Sequence, residues 1–130
     1  MKSYQLQRNG NLLWLRAAVR GVSGEIALFR LLVDTGASYT ILPERPLKSL
    51  GYSIASATQT MRLMSASGIV TAPVVPVTWF SCLGVTVEKF PVILYTLPAS
   101  SFVDGILGMD FLIEHRATIL TAQSEIRLPL

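Results

Sequence analysis

From Leu13 to Arg20 apolar and polar side chains alternate, with Leu13, Leu15, Ala17 and Val19 on one side and Arg16 and Arg20 marking the other. That two-residue period predicts a half-exposed strand. Gly21-Val22-Ser23-Gly24 has the composition of a turn, and Glu25 to Val33 is a second, nearly continuous apolar run, so the two segments predict a hairpin. Tyr39 to Leu42 reads as a short strand. Pro43 to Leu50 offers one or two helical turns, which Gly51 would stop.

Thr58 to Ser65 and Ile69 to Val77 flank Ala66-Ser67-Gly68, a small-residue tip suited to a long hairpin. Pro73 and Pro76 place the returning strand at a sheet edge, because proline cannot donate to a ladder. Val77 to Phe80 and Val85 to Phe90 predict another hairpin across Ser81-Cys82-Leu83-Gly84, and Pro91 to Tyr95 continues extended. Phe102 to Leu107 reads as a strand that leads through Gly108 to a helical stretch, Met109 to His115. Short strands near Ala117 to Leu120 and Glu125 to Leu128 close the chain. With no internal repeat, low-complexity tract or linker, residues 1–130 predict a single all-β domain with one or two short helices.

Composition narrows the function. Half of the 130 residues are apolar and 15% are charged, the balance of a packed globular chain. The net charge of +3 comes from basic residues scattered singly, which excludes the clustered footprint of a nucleic-acid binder. One cysteine, Cys82, allows no intrachain disulfide and reads as a buried thiol. One histidine, His115, near the end of the predicted helix, leaves a transition-metal site or a Cys-His nucleophile without the residues it needs. Ser23, Ser38 and Ser67 lack the surroundings of a serine nucleophile. The polar N-terminus carries no signal sequence and no run approaches membrane-spanning length, so a cytoplasmic location and no membrane partner are expected.

The candidate chemistry lies in Leu31-Leu32-Val33-Asp34-Thr35-Gly36-Ala37-Ser38, an apolar strand ending in an acid, a hydroxyl and a glycine. A strand aims one carboxylate at a fixed point, Gly36 lets the backbone turn tightly so that a second carboxylate can approach, and Thr35 can hold the loop through its hydroxyl. Taken alone, the tripeptide is also what an ordinary turn looks like. Downstream, Val103-Asp104-Gly105-Ile106-Leu107-Gly108-Met109-Asp110-Phe111-Leu112 places two apolar residues and a glycine at a strand end before a helix. Together, in this order and with the hairpin between them, the segments resemble the hallmarks of retropepsin-like aspartic proteases, over a span from about Leu13 to Leu128.

The resemblance implies a closed acid-protease β-barrel active as a two-fold homodimer, since Asp-Thr-Gly occurs once and two-lobed relatives carry it twice. It implies an aspartic endopeptidase acting on extended peptide or protein substrates without cofactor or metal. Asp34 is then the catalytic residue, and Thr35, Gly36, Ala37 and Ser38 support its loop. Met64, Ser65, Ala66, Ser67 and Gly68 form a flap, and Ile106, Leu107 and Gly108 line the pocket or pack beneath the loop. The terminal segments, Met1 to Gln7 and Glu125 to Leu130, are expected in an interfacial sheet. Ser38 stands where viral members often have a second acid and Met109 where they usually have arginine, so the pattern looks closer to cellular and bacterial members. Asp104 is expected as a turn residue and Asp110 in the first helical turn, where a negative charge suits the dipole. The alternatives are a catalytically silent peptide-binding or dimerisation module on the same fold, and a small-ligand β-barrel.

Overall fold

The computed structural model describes residues 1–65 and 67–129. Ala66, at the tip of the expected flap, and Leu130 lie outside the described residues. The chain ends are brought together: β1 (Lys2–Gln5) pairs antiparallel with the last strand, Glu125–Leu128, so that Tyr4 faces the fully buried Ile126. The strand before it, Thr118–Leu120, completes a three-stranded sheet. The two terminal segments thus pair with each other within one chain.

β2 (Gln7–Asn9) returns along β3 (Leu12–Arg20), and β3 makes the expected hairpin with β4 (Ile26–Val33), from Trp14 opposite Leu32 to Arg20 opposite Ile26. Leu15, Ala17 and Val19 are buried and Arg16 and Arg20 exposed, as the alternation requires. The outer face is less simply polar than the pattern suggests. Trp14 is buried there, under the edge of Phe102 and the guanidinium groups of Arg16 and Arg30, 5.0 and 5.6 Å from its ring centre. Arg16 and Arg30 stand directly opposite. Like charges so placed repel, and the shared indole offsets part of that cost.

β5 (Ile41–Leu42) and α1 (Glu44–Ser49) follow, and Gly51, at φ +95°, ends the helix as expected. β6 (Gln59–Ser65) and β7 (Gly68–Val77) form the long hairpin. The edge placement of β7 needs correction, because β7 lies between β6 and β10 (Phe90–Leu94). Its prolines are accommodated by a division of the strand: residues Gly68 to Val74 pair with β6, and Val74 to Val77 pair with β10. Pro73 therefore has a ladder partner only in β6 and Pro76 only in β10, so each proline sits where one flank is unpaired.

β8 (Phe80–Cys82) and β9 (Val85–Val87) make a tighter hairpin than the apolar runs imply, turning at Leu83 and Gly84, both at positive φ. β11 is confined to Gly105–Leu107, since Phe102 leaves the sheet to cover Trp14. α2 (Met109–Glu114), β12 (Thr118–Leu120) and β13 (Glu125–Leu128) complete the chain. The main sheet runs β6-β7-β10-β5-β11-β4-β3-β8-β9 and curls into a half-barrel. Its concave side closes on Phe80, Phe90 and Phe111, whose rings meet in tilted or edge contacts at 4.9 to 6.3 Å, with Leu31, Leu42, Val75, Val92 and Leu107 around them. Cys82 is buried, and loss of hydration pushes its thiol up to about 12, so it serves as a packing atom. No helix among the described residues is long and apolar enough to cross a membrane.

Candidate active site

β11 runs parallel to β4, with Leu107 beside Val33, so both strands end at the same loop. The N–H of Asp34 donates to Leu107 O at 3.1 Å, and this bond between neighbouring strand ends fixes where the carboxyl begins. The chain then turns: Ala37 N–H donates to Asp34 O at 3.2 Å, and Gly36 N–H donates to Asp34 Oδ1 at 2.8 Å. Aspartate thereby caps its own turn. Gly36 stands in this turn with φ outside the left-handed region. A Cβ there would come 3.2 Å from Asp34 Oδ1, so the glycine leaves room beside the carboxylate.

Thr35 follows Asp34 in the loop. It is exposed, its hydroxyl makes no hydrogen bond with the described residues, and it borders an apolar groove lined by Met109, Leu112, Ile113, Ala117 and Ile119.

The loop is held by residues whose importance the sequence did not disclose. Thr40 is fully buried, and its N–H and hydroxyl both donate to the Asp110 carboxylate, at 2.9 and 2.8 Å. The same hydroxyl accepts the N–H of Gly108 at 3.2 Å. Met109 and Asp110 donate their N–H groups to Ala37 O and Ser38 O, at 2.8 and 3.1 Å. Asp110 does stand in the first turn of α2 as expected, but its carboxylate ties that turn to the segment after Asp34. Ala37 and Ser38 take part through backbone carbonyls.

Gly108 is required by packing, since a Cβ would lie 2.6 Å from Tyr39 C. Asp104 accepts the N–H of Arg30 at 2.8 Å through Oδ2 and donates its own N–H to Arg30 O at 2.8 Å, which pins the loop before β11 to β4. His115 packs its ring on Phe111, with centres 4.4 Å apart.

In front of Asp34 lies a cleft of about 560 Å³. Its floor is Asp34, Gly36 to Tyr39, Ile41 and Ile106; its roof is Arg62 to Ser65 with Ser67, and Tyr95, Leu97 and Pro98 close the far side. Asp34 is the only acid among the described lining residues. Of the pocket residues expected from sequence, Ile106 reaches the cleft, while the fully buried Leu107 and Gly108 pack beneath the loop. The roof is the β6–β7 hairpin. Met64 and Ile69 stand opposite one another near its tip, 85% and 58% exposed, an apolar pair with no cover of its own. Ser65 Oγ donates to Gly68 O at 2.9 Å and accepts the N–H of Ser67 at 3.2 Å, which closes the turn. Among the described residues no three His, Cys, Asp or Glu side chains gather as metal ligands would.

The sequence model described as aspartyl protease matches residues 17–111, which takes in the Asp34 loop, the hairpin and the strand-glycine-helix junction. The chain belongs to the aspartyl protease family. A retropepsin-like aspartic protease from Rickettsia conorii superposes on this family member with a TM-score of 0.69 at 19% identity, covering 96% of this chain and 88% of the other. The retroviral protease-like domain of Ddi1 from Leishmania major gives a TM-score of 0.58, also at 19% identity, with 92% and 90% covered. At that identity the likeness speaks for the fold, which is retropepsin-like. No curated protein matches the sequence.

Proposed function

We propose that the chain is one protomer of a homodimeric aspartic endopeptidase, with Asp34 of each copy supplying one of two carboxylates. The observation that carries this is a single acid held by its own turn at the floor of an apolar cleft roofed by a hairpin. Asp104 and Asp110, the acids on either side of β11, accept backbone N–H groups elsewhere and do not line that cleft. The groove beside Thr35, in which Ile113 is 66% exposed, supports a second copy seated next to the Asp34 loop. Two carboxylates about 3 Å apart across the two-fold axis would hold one proton between them. One carboxylate takes a proton from water as that water attacks the peptide carbonyl, while the protonated partner donates to the carbonyl oxygen. The substrate lies extended beneath β6 and β7, and the apolar walls favour apolar side chains around the scissile bond.

The test is cleavage of a peptide library at several pH values and protein concentrations. Expected is a rate per milligram that rises with concentration until dimers saturate, and an optimum on the acidic side, where the pair keeps its shared proton. A rate climbing steadily from pH 5 to pH 9 would exclude the dyad. Silence at every concentration would favour a peptide-binding or dimerisation module on this fold.

The hairpin gives a separate expectation. Gly68 has φ +114° with open space around it, so Gly68→Val meets backbone strain and no steric block. The strain amounts to about 1–3 kcal/mol, confined to the tip. Turnover should fall about tenfold if flap closure is needed, measured at a temperature where the variant is fully folded, while the thermal midpoint falls by only several degrees. Parallel loss of stability and turnover would remove the flap role.

A further inference from the structure

Arg62 is the only charged residue between Lys48 and Glu88, and the fold places it on the wall of the cleft that holds Asp34. It lies within β6, opposite Thr71, on a hairpin whose two strands contain no acid. Its guanidinium makes no ion pair or hydrogen bond with the described residues, among which the one ion pair is Arg127 with Glu125. Its neighbours on β6 are Met61, Leu63 and Met64, and it is the one charged residue among the described residues of the roof. A guanidinium offers five N–H donors in a planar fork and stays charged at any working pH.

We propose that Arg62 is a specificity-determining residue that selects polypeptide substrates carrying an aspartate or glutamate side chain near the scissile bond. The inference rests on the cleft being a peptide-cleaving site and adds the substrate class. The fork accepts the two oxygens of a substrate carboxylate, while the apolar residues flanking the scissile bond face Met64, Ile41 and Ile106. In a two-fold dimer each copy offers its own Arg62, so acidic residues are selected at a position on each side of the scissile bond.

The test uses peptides with a fixed apolar pair at the scissile bond and either glutamate or glutamine at each of the flanking positions in turn. At pH 6 the parent should cleave the glutamate peptide about tenfold faster in kcat/KM at one or both of two positions, as expected for a charge-assisted hydrogen bond, chiefly through KM. Arg62→Gln should bring the glutamate-to-glutamine ratio close to one, Arg62→Lys should keep only part of it because an ammonium lacks the fork, and Arg62→Glu should turn it toward lysine. The ratio in the parent should also fade as pH falls through about 4.3, where a glutamate side chain takes up its proton and arginine does not. Equal cleavage of glutamate and glutamine peptides by the parent at every position would overturn the inference while leaving the protease intact. So would an acidic preference that survives in Arg62→Gln. No cleavage of any peptide by the parent would instead remove the protease function on which the inference depends.

Discussion

Replacing Asp34 by asparagine is expected to lower peptide cleavage at least a thousandfold while leaving the protomer folded, the scale at which general acid-base catalysis is lost. The amide keeps the shape of the carboxyl, and its oxygen can still accept the N–H of Gly36 that Asp34 Oδ1 takes at 2.8 Å. The turn closed by Ala37 N–H on Asp34 O involves only backbone. What disappears is the group that receives and returns a proton. The same variant tests where the site lies, because a shared site needs one competent carboxylate from each copy. In an equal mixture with the parent at fixed total protein, random pairing leaves about a quarter of the dimers with two aspartates. Activity should therefore fall to that fraction and follow the square of the parent fraction across a titration. A linear dependence, with half the activity left, would mean that each chain carries a complete site, and the dimeric dyad would be wrong.

How much of this could be seen beforehand depended on how local each signal was. The β3–β4 hairpin and the loop it leads into are legible because a period of two and a strand ending in Asp34-Thr35-Gly36 are short-range features. The glycine at 108 is also legible, though its reason, a Cβ 2.6 Å from Tyr39, is a tertiary one. The bond between Thr40 and Asp110 joins residues 70 apart, and nothing local distinguishes this threonine from one in any strand. Proline chemistry pointed to an edge for β7; a strand changing partners at Val74 satisfies the same chemistry in the sheet interior, a solution no single-segment pattern displays. Nothing in the sequence singles out Arg62 among the scattered basic residues, and only the fold sets it on the wall of the cleft that holds Asp34.

Thr40→Val is expected to destabilise the protein by about 1–3 kcal/mol, although the substitution is nearly isosteric and touches no substrate. The hydroxyl it removes donates to Asp110 Oδ1 at 2.8 Å and accepts Gly108 N–H at 3.2 Å. Thr40 and Gly108 are buried, so the Gly108 N–H is left without a partner when the hydroxyl goes, whereas Asp110 Oδ1, on a half-buried residue, keeps the N–H of Phe111 at 2.8 Å. Asp110→Ala removes the acceptor for both the N–H and the hydroxyl of Thr40 and should cost a similar amount. The double variant should cost less than the sum, with a coupling of about 1–3 kcal/mol. For a chain of this length the thermal midpoint should fall by roughly 5–10 °C, measured at one protein concentration because association raises it.

Cleavage should drop further than stability alone explains. Met109 and Asp110 hold Ala37 and Ser38 by their carbonyls, so loosening the first turn of α2 loosens the backbone that sets the direction of Asp34. The two effects separate at low temperature, where both variants are folded: a catalytic deficit persisting there identifies Thr40 and Asp110 as positioning residues for the carboxylate. Recovery of full turnover in the cold would confine them to stability. Additive destabilisation in the double variant would show that the bond seen between them contributes little.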